Sequence, residues 1–153
     1  MREKNAYNNS ITDKGGLRMK EITVEAAIEN VPAVTDFVNE QLEELGCPMK
    51  AQVQIDVAID ELFSNIAYYA YGGGSGSATV QVEAEQEPLA AVIRFLDSGT
   101  PYDPLAAEDP DVTLALDERK AGGLGVYIVK KSMDAVQYEY RDGKNVLTIK
   151  KRL

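Results

Sequence analysis

From Pro48 to Tyr71, apolar residues recur at Ile55, Ile59, Leu62 and Ile66, in steps of four, three and four. That spacing draws a single apolar stripe down one long helix. Such a helix must lay its stripe on another apolar surface, and the neighbouring sequence supplies one in the form of strands. Glu21 to Ile28 alternates, with apolar residues at Ile22, Val24, Ala26 and Ile28, and Thr79 to Glu85 alternates in the same way. Leu89 to Leu96 is nearly continuously apolar, as expected of a strand nearer the middle of a sheet.

The remaining segments complete the plan. Asn30 is placed to cap a helix, Pro32 suits its first turn, and Val34, Phe37, Val38, Leu42 and Leu45 follow at helical spacing until Gly46 stops it. The run from Gly72 to Ser77 is a flexible turn after the long helix. Ser98 to Ala121 is rich in Pro, Asp and Gly and lacks periodicity, the composition of a lid or binding loop. Gly122-Gly123-Leu124-Gly125 then opens a helix carrying Val126, Ile128, Val129 and Met133. Strands are predicted at Val136–Arg141 and Val146–Lys150, joined by a hairpin at Asp142-Gly143-Lys144-Asn145. This order predicts an α+β fold, a two-layer sandwich with helices on one face of a mixed sheet. Residues 1–18 are polar and unpatterned and are expected to be a flexible leader, with residues 19–153 forming one domain.

Charge and composition narrow the partners. With 25 acidic against 16 basic residues, the net charge of -9 repels phosphate backbones and anionic lipid heads, which argues against nucleic acid and membrane surfaces. Cys47 is the single cysteine and there is no histidine, so neither an intrachain disulfide nor a Cys/His metal cluster can form. With no apolar run of the length a membrane span or secretory signal needs, a cytoplasmic protein is expected.

Three places could carry chemistry. Glu61 and Asn65, four residues apart on the long helix, share a face at the rim of its apolar stripe. A carboxylate there could take a proton, and an amide oxygen one turn on could ligate Mg²⁺, although a solvated polar pair has the same spacing. Asp97 ends an apolar strand and is followed by Ser98-Gly99. Its carboxylate could accept from an adenine amino group while Gly99 lets main chain close on a flat ring, or the three residues could simply form a turn. Gly122, Gly123, Leu124 and Gly125 at a helix start offer N–H groups to phosphates, and Arg119 and Lys120 could add positive charge. A glycine hinge would explain the same residues. Tyr68, Tyr69 and Tyr71 read as packing at the helix end, and the acidic run from Glu108 to Glu118 reads as a solvated loop.

Taken in order, a helical Glu-x-x-x-Asn, an Asp-x-Gly at a strand end, a long lid and a Gly-Gly-x-Gly opening a helix resemble the Bergerat ATP-binding fold of the gyrase, Hsp90, histidine-kinase and MutL superfamily. The segments IDELFSNIAYYAY, FLDSGTPYDP and ERKAGGLGVYIVKKSMDAVQYEYRDGKNVLTIKK resemble the bacterial anti-sigma-factor serine/threonine kinases, over about residues 20–153. The resemblance implies Glu61 as general base, Asn65 as Mg²⁺ ligand, Asp97 and Gly99 at the adenine, and Gly122, Gly123, Leu124 and Gly125 with Arg119 around the phosphates of ATP. It also implies phosphorylation of a small anti-sigma antagonist protein on Ser or Thr, sequestration of a sigma factor, and a homodimer. Two departures stand out. Tyr69 occupies a position where that family often has histidine, and Pro101 follows Gly99-Thr100 where a second glycine is common.

Two other functions fit the same residues. One is an ATP-gated binding module that orders the 98–121 lid without phosphoryl transfer. The other is a detached histidine-kinase catalytic domain, which would need a histidine-bearing helix from another protein.

Overall fold

A computed structural model describes residues 7–8, 18–110 and 124–153. The elements are β1 (Tyr7–Asn8), β2 (Lys20–Glu25), a short 3-10 turn (Ile28–Asn30), α1 (Val31–Glu44), α2 (Met49–Tyr69), β3 (Ser77–Glu85), β4 (Ala90–Asp97), α3 (Leu124–Ser132), β5 (Ala135–Arg141) and β6 (Lys144–Arg152). The strands form one sheet in the order β1-β2-β3-β4-β6-β5.

One face of the sheet carries Ile22, Val24, Val80, Val82, Ile93, Phe95, Leu147 and Ile149, all buried. Against it lie Val34, Phe37, Val38 and Leu42 of α1, Ile55, Ile59, Leu62 and Phe63 of α2, and Val129 of α3. Each of the larger side chains contributes about 1.5–3 kcal/mol by leaving water. The opposite face carries polar side chains paired across strands beside Val92, Leu96 and Val146. Thr23 bonds Thr79, Gln81 donates to Glu21, and Arg94 forms an ion pair with Glu83. The α+β, two-layer arrangement with helices on one face is therefore the one that the sequence predicts.

Three details differ from expectation. Every strand pairing among the described residues is antiparallel, rather than mixed. The crossover through α3 does bring β5 back parallel to β4, but β6 returns from the β5 hairpin and fills the gap between them, antiparallel to both. At the first corner, β2 ends at Glu25 and Ile28 enters the 3-10 turn, 37% exposed. The main chain leaves the sheet after Ala26, whose N–H donates to Gly76 O at 2.8 Å. Asn30 precedes α1 as expected, yet its amide donates to Glu25 O at 2.8 Å and does not cap the helix.

The third difference matters most for the site. The β5–β6 turn is confined to Asp142 and Gly143, with φ of 54° and 76°. Two consecutive left-handed residues make the tight hairpin turn that matches strand twist, so Lys144 and Asn145 are already in β6. Asn145 thereby becomes the direct register partner of Asp97. Of the segment 1–18, Tyr7–Asn8 pairs with Ile22 and Glu21 of β2, and residues 1–6 and 9–17 lie outside the described residues. Among the described residues no helix is long and apolar enough to cross a membrane.

Candidate functional site

The strand β4 is apolar until its last residue, so its alternation carries Asp97 onto the helix-facing side of the sheet at the open end of the sandwich. There Asp97 is 6% exposed. Its Oδ1 accepts from Gly99 N and from Asn145 Nδ2, both at 2.9 Å. Among the described residues Oδ2 has no donor. Asp97 borders a cavity of about 390 Å³ between the C-terminal half of α2 and the ends of β4 and β6. That volume lies within the range of small-ligand sites. Leu62, Ile66, Phe95 and Leu147 form its apolar floor, and Asn65, Thr100, Tyr102, Tyr138 and Asn145 bring polar groups to its wall. An apolar slot with one unpaired carboxylate oxygen suits a flat ring that presents an N–H.

Asn65 lines this cavity, and its side chain has no hydrogen-bond partner among the described residues. Glu61 lies one helical turn back, a rise of about 6 Å. It is half-buried, and its carboxylate packs directly on Gly125 at the start of the described part of α3. Glu61, Asn65, Asp97, Gly99 and Gly125 are thus brought to one end of the molecule, with Asn65 and Asp97 in the cavity and Glu61 and Gly125 beside it. Leu124 is the first described residue of α3 and is partly exposed. Arg119, Lys120, Gly122 and Gly123 lie outside the described residues, as does the lid beyond Pro110.

Two glycines are steric requirements of the site. A Cβ on Gly99 would strike the carbonyl oxygen, carbonyl carbon and Cβ of Ala70, which are fixed by the end of α2. Gly99→Ala is expected to destabilise the fold by about 1–3 kcal/mol, because main chain has to move, and to weaken nucleotide binding. Denaturant unfolding and titration with Mg-ATP measure the two effects. A Cβ on Gly125 would strike only the Glu61 carboxylate, the far end of a flexible side chain. Gly125→Ala should therefore change stability by no more than about 1 kcal/mol. Displacing Glu61 by an ångström is expected to cost any reaction it serves on the order of a hundredfold, read as the rate of phosphate transfer.

The sequence did not point to four further groups at this site. Asn145, assigned to a hairpin turn, is 6% exposed and sits at the centre of the polar wall. Its Oδ1 accepts from Tyr102 N at 3.1 Å and from the Tyr138 hydroxyl, and its Nδ2 also donates to Thr100 O at 3.0 Å. Tyr138 was read only as part of a strand. Burial, with the carboxylates of Asp103 and Asp97 acting in the same direction, raises its hydroxyl above the ordinary range, so it remains a donor. Tyr71 reads from sequence as a packing tyrosine. Its hydroxyl donates to Ser77 O and accepts from Ser98 N at 3.0 Å, tying the end of α2 to the start of β3 and to the Asp97–Gly99 turn. Ala70 O accepts from Thr100 N at 2.9 Å on the other side of that turn. Tyr68 and Tyr69 are 64% and 69% exposed, and Tyr69 stands in the cavity wall. Pro101 and Tyr102 also line it.

The first half of the expected lid is held at several points. Leu105 N donates to Asp103 Oδ1 at 2.8 Å, Leu105 packs against the core, and Asp109 pairs with Lys130 of α3. Asp109 of the acidic run is therefore engaged with the helix that carries Gly125.

This architecture belongs to a defined class. Residues 24–151 match the family model described as a histidine kinase-like ATPase domain, and the chain belongs to that family. The family is one of ATP-binding domains, and the two-layer sandwich is its fold. Among characterised proteins, the chain is similar to the Serine/threonine-protein kinase BtrW of Bordetella bronchiseptica. The two are 30% identical over 95 residues, which is 62% of this chain and 66% of that protein. The chain thus spans just under two thirds of that relative's length.

Proposed function

We propose that this chain is an ATP-dependent protein serine/threonine kinase of the anti-sigma type, acting in the cytoplasm. On this reading it phosphorylates a small antagonist protein, sequesters a sigma factor and forms a homodimer. The observation that carries the nucleotide part is the cavity whose apolar floor ends on Asp97, a buried carboxylate with one oxygen that has no donor among the described residues. The kinase part is supported by Glu61, by the similarity to a serine/threonine-protein kinase, and by the resemblance of the three motif segments to the anti-sigma kinases.

In this mechanism the cavity floor takes the adenine ring and Asp97 Oδ2 accepts its exocyclic N–H. The triphosphate runs along α2 from Asn65 toward Glu61. Gly122, Gly123, Leu124 and Gly125 with Arg119 would line the phosphates, and Gly125 lets the main chain of α3 approach Glu61 closely. Asn65 would hold Mg²⁺, a hard cation for which an amide oxygen without a partner among the described residues is a fitting donor. When bound, the ion neutralises phosphate charge in the transition state. Glu61 takes the proton of the attacking Ser or Thr hydroxyl as it approaches in line with the departing diphosphate, and positioning supplies most of the remaining acceleration.

The test is incubation of the chain with γ-labelled ATP and its cognate antagonist. Label on a Ser or Thr of the antagonist is expected. Binding of Mg-ATP without any label would instead favour an ATP-gated binding module. One observation favours that second reading as a component of the first. Thr100 and Tyr102, at the lid entrance, are bonded to Ala70 and Asn145 of the base pocket, so the pocket and the lid entrance share hydrogen bonds.

A further inference from the structure

Asp97 and Asn145 face each other across β4 and β6, both nearly fully buried, and their side chains are bonded. The Asn145 amide has one orientation that its surroundings tolerate. Nδ2 lies among acceptors only: Asp97 Oδ1 at 2.9 Å, Thr100 O at 3.0 Å and Gly99 O at 3.5 Å. Oδ1 receives the Tyr102 N–H and the Tyr138 hydroxyl. Rotating the amide by half a turn would set an oxygen against three oxygens and an NH₂ against an N–H. Orientation is therefore fixed by the protein before any ligand arrives.

We propose that Asn145 is a positioning residue that sets the base selectivity of the pocket. By donating to Asp97 Oδ1, together with Gly99 N, it saturates that oxygen and leaves Oδ2 as the acceptor offered to the base. A purine with a 6-amino group meets Oδ2 with an N–H. A purine with a 6-oxo group meets it with an oxygen, and neither partner has a proton to share in that contact. Without Asn145, Oδ1 keeps only the Gly99 N–H of its two donors, so the carboxylate is held less firmly and the pocket no longer presents one defined acceptor. The inference rests on the reading of this cavity as the ATP site.

Tyr138 gives an independent handle, because its hydroxyl orients the Asn145 amide without being bonded to Asp97. The experiment is calorimetric titration of the full chain with Mg-ATP and with Mg-inosine triphosphate, for wild type, Asn145→Ala and Tyr138→Phe. Wild type is expected to prefer ATP by on the order of a hundredfold or more, as sites built around a substrate N–H do. Asn145→Ala is expected to bring the two affinities within about tenfold of each other, chiefly by weakening ATP. Tyr138→Phe should narrow the ratio in the same direction by a smaller factor. A residue that merely supports the fold would weaken both nucleotides alike. An unchanged ratio in both variants overturns the proposal while leaving the ATP site standing. Should Asn145→Ala fail to fold, the Tyr138→Phe ratio decides alone: narrowing supports the proposal and constancy overturns it. A wild type that binds neither nucleotide removes the ATP-site reading itself, and this inference with it.

Discussion

Asp97→Ala is expected to reduce Mg-ATP affinity by about ten- to a hundredfold while leaving the chain folded. Removing the carboxylate deletes the acceptor for the base, a charged hydrogen bond in a buried setting worth about 1.5–3 kcal/mol. It also leaves Asn145 Nδ2 and Gly99 N without the oxygen that they share, so the pocket wall loses its order as well as its acceptor. The side chain lies at the end of β4 rather than within the apolar core. Stability should therefore fall by far less than for truncation of Phe63 or Phe95, where about 3–5 kcal/mol is expected. Circular dichroism and denaturant unfolding establish that the variant is folded, and titration gives the affinity. Wild-type affinity in a folded Asp97→Ala protein would mean that the base does not sit in this cavity.

Glu61→Gln separates binding from chemistry. The substitution keeps the volume packed against Gly125 and removes the ability to take a proton. Mg-ATP affinity should stay within about threefold of wild type, since Glu61 lies a helical turn from the base pocket. Phosphate transfer to the antagonist should fall by about 10²–10⁴, the usual contribution of a general base. Transfer at the wild-type rate would contradict the assignment of Glu61 without touching that of Asp97.

Much of this arrangement was legible before the fold was known. The stripe on α2 identified the helix that carries Glu61 and Asn65, because helical periodicity fixes which residues share a face. The end of the apolar run at Leu96 placed Asp97 at a strand tip for the same kind of local reason. What could not be read was pairing between distant segments. Nothing near Asn145 in sequence says that it will face Asp97, since that depends on the β4–β6 register and on how few residues the hairpin turn consumes. Reading Asp142-Gly143-Lys144-Asn145 as a turn hid the residue that organises the pocket wall. The roles of the Ala70 carbonyl and the Tyr71 hydroxyl were invisible for a related reason. Both are set by where α2 ends relative to the Asp97–Gly99 turn, and local propensity does not encode that. The alternation through Ile28 was misleading because a two-residue period cannot show that the chain turns away after Ala26.

On this reading the cavity beside Asp97 binds ATP. Calorimetric titration of the wild-type chain with ATP, with and without Mg²⁺, tests it most directly. Saturable heat is expected for one site per chain, tighter with Mg²⁺ present and in the micromolar to sub-millimolar range typical of such substrates, about 1 μM to 1 mM. No saturable heat at millimolar ATP with Mg²⁺ would contradict it.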